Sequence, residues 1–175
     1  LRIEDTDRNR YINDSTESLM KDLKWLGINW DEGPEKGGAH EPYVQSERLN
    51  FYHKYANKLI RNNKAYYCFC SKDRLVKLRS QHNSYDRHCR NIDSNDSLAR
   101  VQAGEKHTIR FKSPTTGTTT ATDLIRNKII VQNEQLDDFI LFKTDGFPVY
   151  HLAAMVDDHL MKITHVIRGD DHKIN

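Results

Sequence analysis

Leu1-Arg2-Ile3-Glu4-Asp5-Thr6-Asp7 and Val166-Ile167-Arg168-Gly169-Asp170-Asp171-His172 decide the fold of this chain. Each is a short apolar run that stops at a charged cluster. A buried parallel strand has this pattern when it carries polar side chains to the crevice at its carboxyl end, where open α/β sheets bind ligands. Glu4, Asp5 and Asp7 suit an ammonium group or a ribose hydroxyl, and Arg168 suits a carboxylate or phosphate through its planar fork. Taken singly, either cluster reads equally well as a solvated strand end or a surface ion-pair group. Their occurrence at the ends of two strand-like runs favours two walls of one site.

Outward from the first run, Asn13-Asp14-Ser15-Thr16 offers N-cap residues for a helix carrying Leu19, Leu23 and Leu26, which Gly27 can end. The loop Asp31 to Gly38 is rich in glycine and charge. Ser46 is then expected to cap a second helix with its apolar face at Leu49, Tyr52, Ala56, Leu59 and Ile60. From about Tyr66 the texture changes: a polar, basic stretch holds one helical segment from Asp73 to about Ser80. Short apolar runs follow at 107–111, 129–131 and 138–142, punctuated by Pro114, Gly117 and Asp145-Gly146. These predict a small antiparallel sheet with a hairpin at Asp145-Gly146. A helix from Tyr150 to about Leu160 and a strand from Ile163 to Ile167 restore the α/β pattern. The expected architecture is an α/β parallel-sheet domain, 1–65 and 150–175, interrupted by an α+β module, 66–149.

Of the 175 residues, 37% are hydrophobic and 30% charged, a globular composition with no membrane-spanning run. The net charge of +2 is too small to argue nucleic-acid binding by itself. Three cysteines make no disulfide framework and fit reducing conditions. Residue 1 lies inside a strand-like run and the chain stops just after another, so an internal slice of a longer protein is expected.

Cys68-Phe69-Cys70 and Cys89 are the metal candidates, since structural zinc takes cysteine and histidine ligands, and Tyr85, His88, His82 and Asn91 lie nearby. The other reading is free thiols in a small core. Between Lys72 and Arg90, six basic residues including Arg87 and Arg90 stand against only Asp73 and Asp86, a stripe able to position a phosphate backbone. Asp157, Asp158 and His159 are consecutive, so a helix splays them and they read as helix surface.

The chain resembles a bacterial-type glutamyl-tRNA synthetase. The resemblance rests on the opening run through Arg8, Leu23-Lys24-Trp25-Leu26-Gly27, Asp31-Glu32-Gly33-Pro34, Gln45-Ser46-Glu47-Arg48 and Tyr66 to Ser71. It continues through Tyr85 to Asn91, Lys143 to Pro148, Tyr150-His151-Leu152, Val156 to His159 and Thr164 to Gly169. It implies a class I enzyme with a Rossmann-like catalytic domain that joins L-glutamate to ATP, taken with Mg2+, as glutamyl-adenylate and passes it to the 3′ end of tRNA(Glu). It implies glutamate contacts at Glu4, Tyr150 and Arg168 and an ATP contact at Asp171. Thr6 and Asp7 lie beside the site, with Arg87 and Arg90 as tRNA contacts in an acceptor-stem-binding insertion. Cys68, Cys70 and Cys89, with Tyr85 as fourth ligand, resemble the zinc site of some members, while other members lack zinc. A monomer in the cytoplasm or mitochondrial matrix is implied.

The HIGH-type and KMSKS-type motifs are not in this stretch, so the slice alone is expected to be inactive. Ala154 stands where the family often has asparagine. A glutamyl-queuosine-type synthetase without a tRNA substrate, or a non-catalytic RNA-binding or zinc module, are the alternative readings.

Overall fold

The computed structural model describes residues 1–8, 10, 12, 14–81 and 84–169. Its elements are α1 (Ser15–Trp25), a 3-10 turn (Gln45–Arg48), α2 (Leu49–Arg61), β1 (Ala65–Cys68), α3 (Lys72–Gln81), α4 (Ser94–Gln102), β2 (Thr108–Phe111), β3 (Thr118–Asp123), β4 (Asn127–Gln132), a second 3-10 turn (Asn133–Gln135), β5 (Ile140–Phe142) and α5 (Tyr150–Leu160). The mixture is α/β, as expected. The chain divides into a first unit, Leu1–Tyr55 with Asp145–Asn175, and a second, Ala56–Thr144.

In the first unit the opening run makes a single parallel bridge, Ile3 to Val44. Ile3 N–H donates to the Tyr43 carbonyl (2.8 Å) and Gln45 N–H to the Ile3 carbonyl (2.9 Å). Ile3 is buried while Glu4 is exposed, the alternation of a strand that ends at a cleft. α1 stops at Gly27, whose φ of 74° suits glycine. Gly27 N–H bonds the Lys24 carbonyl and Ile28 N–H the Leu23 carbonyl, which satisfies carbonyls the helix leaves open. Asp14 sits at the α1 N-cap without a side-chain cap bond. α5 buries Leu152, Ala153, Ala154, Val156 and Asp157.

Three expectations for this unit are corrected. Ser46 does not cap α2: residues 45–48 form the 3-10 turn, and Ser46 N–H donates to the Asp5 carboxylate (2.8 Å). Asp145-Gly146 is no hairpin. Asp145 Oδ1 accepts from Phe147 N–H (3.0 Å), and the buried Pro148, with no N–H to give a ladder, leads straight into α5. Residues 163–167 form no ladder among the described residues; Ile163 N–H instead closes α5 on the Asp158 carbonyl.

In the second unit β1, β2 and β5 form an antiparallel sheet in that order, with Tyr66 opposite Arg110 and Ile109 opposite Phe142. β3 and β4 make a separate hairpin, its turn held by Asp123 Oδ1 accepting from Ile125 and Arg126 N–H at 2.8 Å. α4 starts at Asp93, whose side chain accepts from Asn95 N–H. A small core gathers Tyr66, Cys68, Tyr85 and Cys89, with Leu75, Leu78 and Ile92 packed against it.

Candidate active-site cleft and cysteine centre

Glu4, Tyr150 and Arg168 line one cleft of about 500 Å³ in the first unit. Glu4 emerges from the opening run, Tyr150 from the first turn of α5 and Arg168 from the segment after it. The Arg168 guanidinium carbon lies 5.7 Å from the Tyr150 ring centroid, within cation–π range. Arg2 supplies a cation: its Nη2 donates to Glu4 Oε1 and its Nη1 to Asp158 Oδ1, both at 2.8 Å. The cleft therefore presents the Glu4 and Asp158 carboxylates, both joined to Arg2, with a phenol and the Arg168 guanidinium, groups of the kind that meet a molecule carrying both an ammonium and a carboxylate. His151, beside Tyr150, is held below its usual pKa by burial and by the Arg168 charge.

The remaining expected residues separate. Thr6 is buried and Asp7 pairs with Arg10 at 2.5 Å. Asp171 lies outside the described residues. Ala154 is buried on α5.

Behind the cleft lies a network that corrects one expectation. Asp157, read above as helix surface, is fully buried. It accepts from Arg48 Nε (2.7 Å), Gln45 Nε2 (2.9 Å) and Tyr52 Oη (2.8 Å). Burial and this hydrogen bond push the Tyr52 phenol above its usual pKa. Arg48 Nη1 also donates to the carbonyls of His40 (3.1 Å) and Pro42 (2.8 Å). The available signal was the position of Asp157 within the apolar stretch of α5, four residues after Ala153 on the same helix face.

In the second unit Asp138 is the counterpart, also fully buried. It accepts from Tyr66 Oη (2.7 Å), Arg90 Nη1 (2.7 and 2.8 Å) and Ser113 N–H (3.1 Å), with Arg87 Nε at 3.6 Å. Arg90 also donates to the Ser113 carbonyl and Arg87 to that of Leu136, each at 2.8 Å. Both arginines expected to contact tRNA thus have their guanidinium groups engaged inside the unit.

Cys68, Cys70 and Cys89 converge, their sulfurs all within 4.8 Å of one another. Cys70 Sγ lies 3.7 Å from Cys89 Sγ, and Tyr85 Oη lies 3.3 Å from Cys68 Sγ and 3.5 Å from Cys70 Sγ. A tetrahedral zinc with ordinary bond lengths sets sulfurs about 3.8 Å apart and a sulfur about 3.5 Å from an oxygen. These three spacings match such an ion, and the remaining sulfur separations stay within 4.8 Å. Hydrogen bonding from Cys89, then from Tyr85, draws the Cys68 thiol below its usual pKa.

A parallel bridge that ends at a cleft lined by Glu4, Tyr150 and Arg168 sits in a unit of mixed helix and strand. The chain belongs to the class I tRNA synthetases: the family described as "tRNA synthetases class I (E and Q), catalytic domain" matches residues 1–175. It is 48% identical over 177 residues to the glutamate–tRNA ligase of Dehalococcoides mccartyi, covering 98% of this chain and 35% of that protein. The glutamate–tRNA ligase of Clostridium acetobutylicum is likewise 48% identical, over 98% of this chain and 37% of its own length. Among solved structures, a glutamate tRNA ligase from Elizabethkingia meningosepticum in complex with its amino acid superposes with a TM-score of 0.89 at 37% identity, over 98% of this chain and 37% of that one. The chain thus spans little more than a third of the length of these relatives. No helix of the described residues is long and apolar enough to cross a membrane.

Proposed function

We propose that this chain is the central part of a glutamate–tRNA ligase, acting on L-glutamate, ATP and tRNA(Glu). The convergence of Glu4, Tyr150 and Arg168 on one cleft carries the reading. Glu4 takes the ammonium of glutamate, Arg168 a carboxylate and Tyr150 packs beside them. A glutamate carboxylate oxygen attacks the α-phosphorus of ATP and pyrophosphate leaves; the tRNA terminal ribose hydroxyl then attacks the acyl carbon and AMP leaves. No protein nucleophile is needed, so rate comes from alignment and from charge stabilisation at phosphorus. Mg2+ bound with ATP neutralises phosphate charge. Asp171 is assigned to ATP, and Thr6 and Asp7 to the floor beneath the tRNA end.

Residues 1–65 and 150–175 form the catalytic portion and 66–149 the insertion that meets the acceptor stem, in a monomeric enzyme of the cytoplasm or mitochondrial matrix. Cys68, Cys70, Tyr85 and Cys89 hold a structural zinc, supported by the match of their spacings to a tetrahedron.

The test is glutamyl-tRNA formation by the full-length protein. Arg168→Ala is expected to lower kcat/KM for glutamate more than tenfold, because a charge-assisted hydrogen bond contributes about 1.5–3 kcal/mol. An unchanged value would remove Arg168 from the glutamate site.

A further inference from the structure

Arg110, on β2, is 5% exposed, and its environment leaves its charge unmatched. Nη1 donates to the Asp138 backbone carbonyl at 2.7 Å, while Nε is buried and has no hydrogen-bond partner. The Asp138 carboxylate is taken by Arg90, Arg87, Tyr66 and Ser113. Among the described residues no carboxylate forms an ion pair with Arg110. A guanidinium keeps its proton, so this is a buried cation without a carboxylate partner, an arrangement that is costly unless another anion is near.

Besides Asp138, whose carboxylate is taken, a nearby group that can be anionic is the cysteine centre. The Arg110 guanidinium carbon lies 3.8 Å from the Tyr85 ring centroid, and Tyr85 Oη touches Cys68 and Cys70. Three thiolates around a divalent ion leave a net negative charge whether Tyr85 joins as phenol or phenolate. At the rim, Arg74 Nη1 reaches Cys70 Sγ at 3.6 Å while its fork also pairs with Asp86. Arg100 makes the contrast: it stacks on Phe69, but Glu105 matches its charge at 2.5 and 2.6 Å.

We propose that Arg110, with Arg74 at the rim, is the counter-cation of the cysteine centre. Arg110 holds the Tyr85 ring against the sulfurs and balances the charge the thiolates bring, so that both arginines set the affinity of the centre for its ion without ligating it. The proposal rests on the zinc reading above. Residues around a metal's ligands typically contribute 10–100-fold to its affinity.

The test is zinc affinity of the full-length protein, by competition with a chromophoric chelator, together with the absorption spectrum of the cobalt-substituted protein. Arg110→Met is expected to bind zinc at least tenfold more weakly, and Arg110→Lys to recover part of the loss. At saturation the variant should keep the thiolate-to-cobalt bands of the unaltered protein, because the ligands are unchanged. Arg100→Gln should match the unaltered protein. Arg74→Met, at a half-exposed position, gives a second reading should Arg110→Met fail to fold, with a several-fold loss expected. Zinc bound by the unaltered protein but with equal affinity in these variants would overturn this proposal and leave the zinc site standing. An unaltered protein that takes up neither zinc nor cobalt would overturn both.

Discussion

Arg48 and Asp157, 109 residues apart, form an ion pair at 2.7 Å in which the arginine side chain is 2% exposed and the aspartate 0%. Every partner of the pair is itself anchored: Gln45 and Tyr52 share the carboxylate, and two carbonyls share the guanidinium. Removing Asp157 strands the buried Arg48 charge, and removing Arg48 leaves the buried Asp157 carboxylate, among the described residues, only Arg2 Nε, 3.9 Å away, as a cation. Asp157→Ala and Arg48→Ala are each expected to destabilise the protein by about 3–5 kcal/mol. The double variant should cost less than the sum, since each single change already forfeits the pair. Urea unfolding of the four proteins measures the coupling, and simple additivity would show that the two residues act independently.

Tyr66 gives the same kind of test in the second unit. Its hydroxyl donates to Asp138 at 2.7 Å, and burial with this bond pushes the phenol above its usual pKa. Tyr66→Phe keeps the ring in the core and removes one donor to a buried carboxylate, an expected loss of about 1.5–3 kcal/mol. Thermal unfolding indistinguishable from the parent would mean that Arg90 and Ser113 satisfy Asp138 unaided.

His151 gives a pH dependence. Burial, and then Arg168, lower its pKa from the usual 6.5, so the folded protein favours the neutral ring. Below pH 6.5 the unfolded chain takes up the proton first, and the stability this neutral ring contributes is lost as pH falls toward the folded-state pKa. Urea stability should therefore drop between pH 7.5 and 5.5, with a shallower drop in His151→Gln. In Arg168→Ala the imidazole, followed by NMR, should titrate higher than in the parent but still below 6.5, because burial is the larger cause. An unmoved titration would separate Arg168 from His151.

Gly27 isolates backbone conformation from packing. A Cβ there meets nothing within 4 Å, yet φ is 74°. Gly27→Ala should then cost about 1–2 kcal/mol through left-handed strain alone. A neutral result by chemical denaturation would mean that α1 re-terminates one residue away.

Among the helices α2 was the most legible, whereas on α1 the expected Leu19 and Leu26 are exposed and Met20 is the buried residue. The face predicted for α2 is the buried one, with Tyr52 and Ala56 fully enclosed, because a 3.6-residue period survives in any amphipathic helix. β3 gave no signal: Thr118 to Asp123 is polar and exposed, and only its register with β4 makes it a strand. α4 has few apolar residues and depends on its Asp93 cap. At the cleft, Glu4 and Arg168 stood out as the polar ends of two apolar runs, whereas Tyr150 was named by resemblance to a family. Arg2 was not foreseen, and neither was Asp157. Its partners lie at 45, 48 and 52, and pairing over such separations leaves no mark on a local window.

Arg48 lies outside the cleft, yet it grips the carbonyls of His40 and Pro42, in the stretch from which His40 and Tyr43 reach the cleft wall. The wall is fastened from behind. A survey of inherited or engineered variants that scored only residues facing the ligand would pass over position 48 as remote. Substitutions there should nevertheless be recovered among those that weaken the glutamate binding proposed for this cleft, as a shift of the wall rather than the loss of a contact.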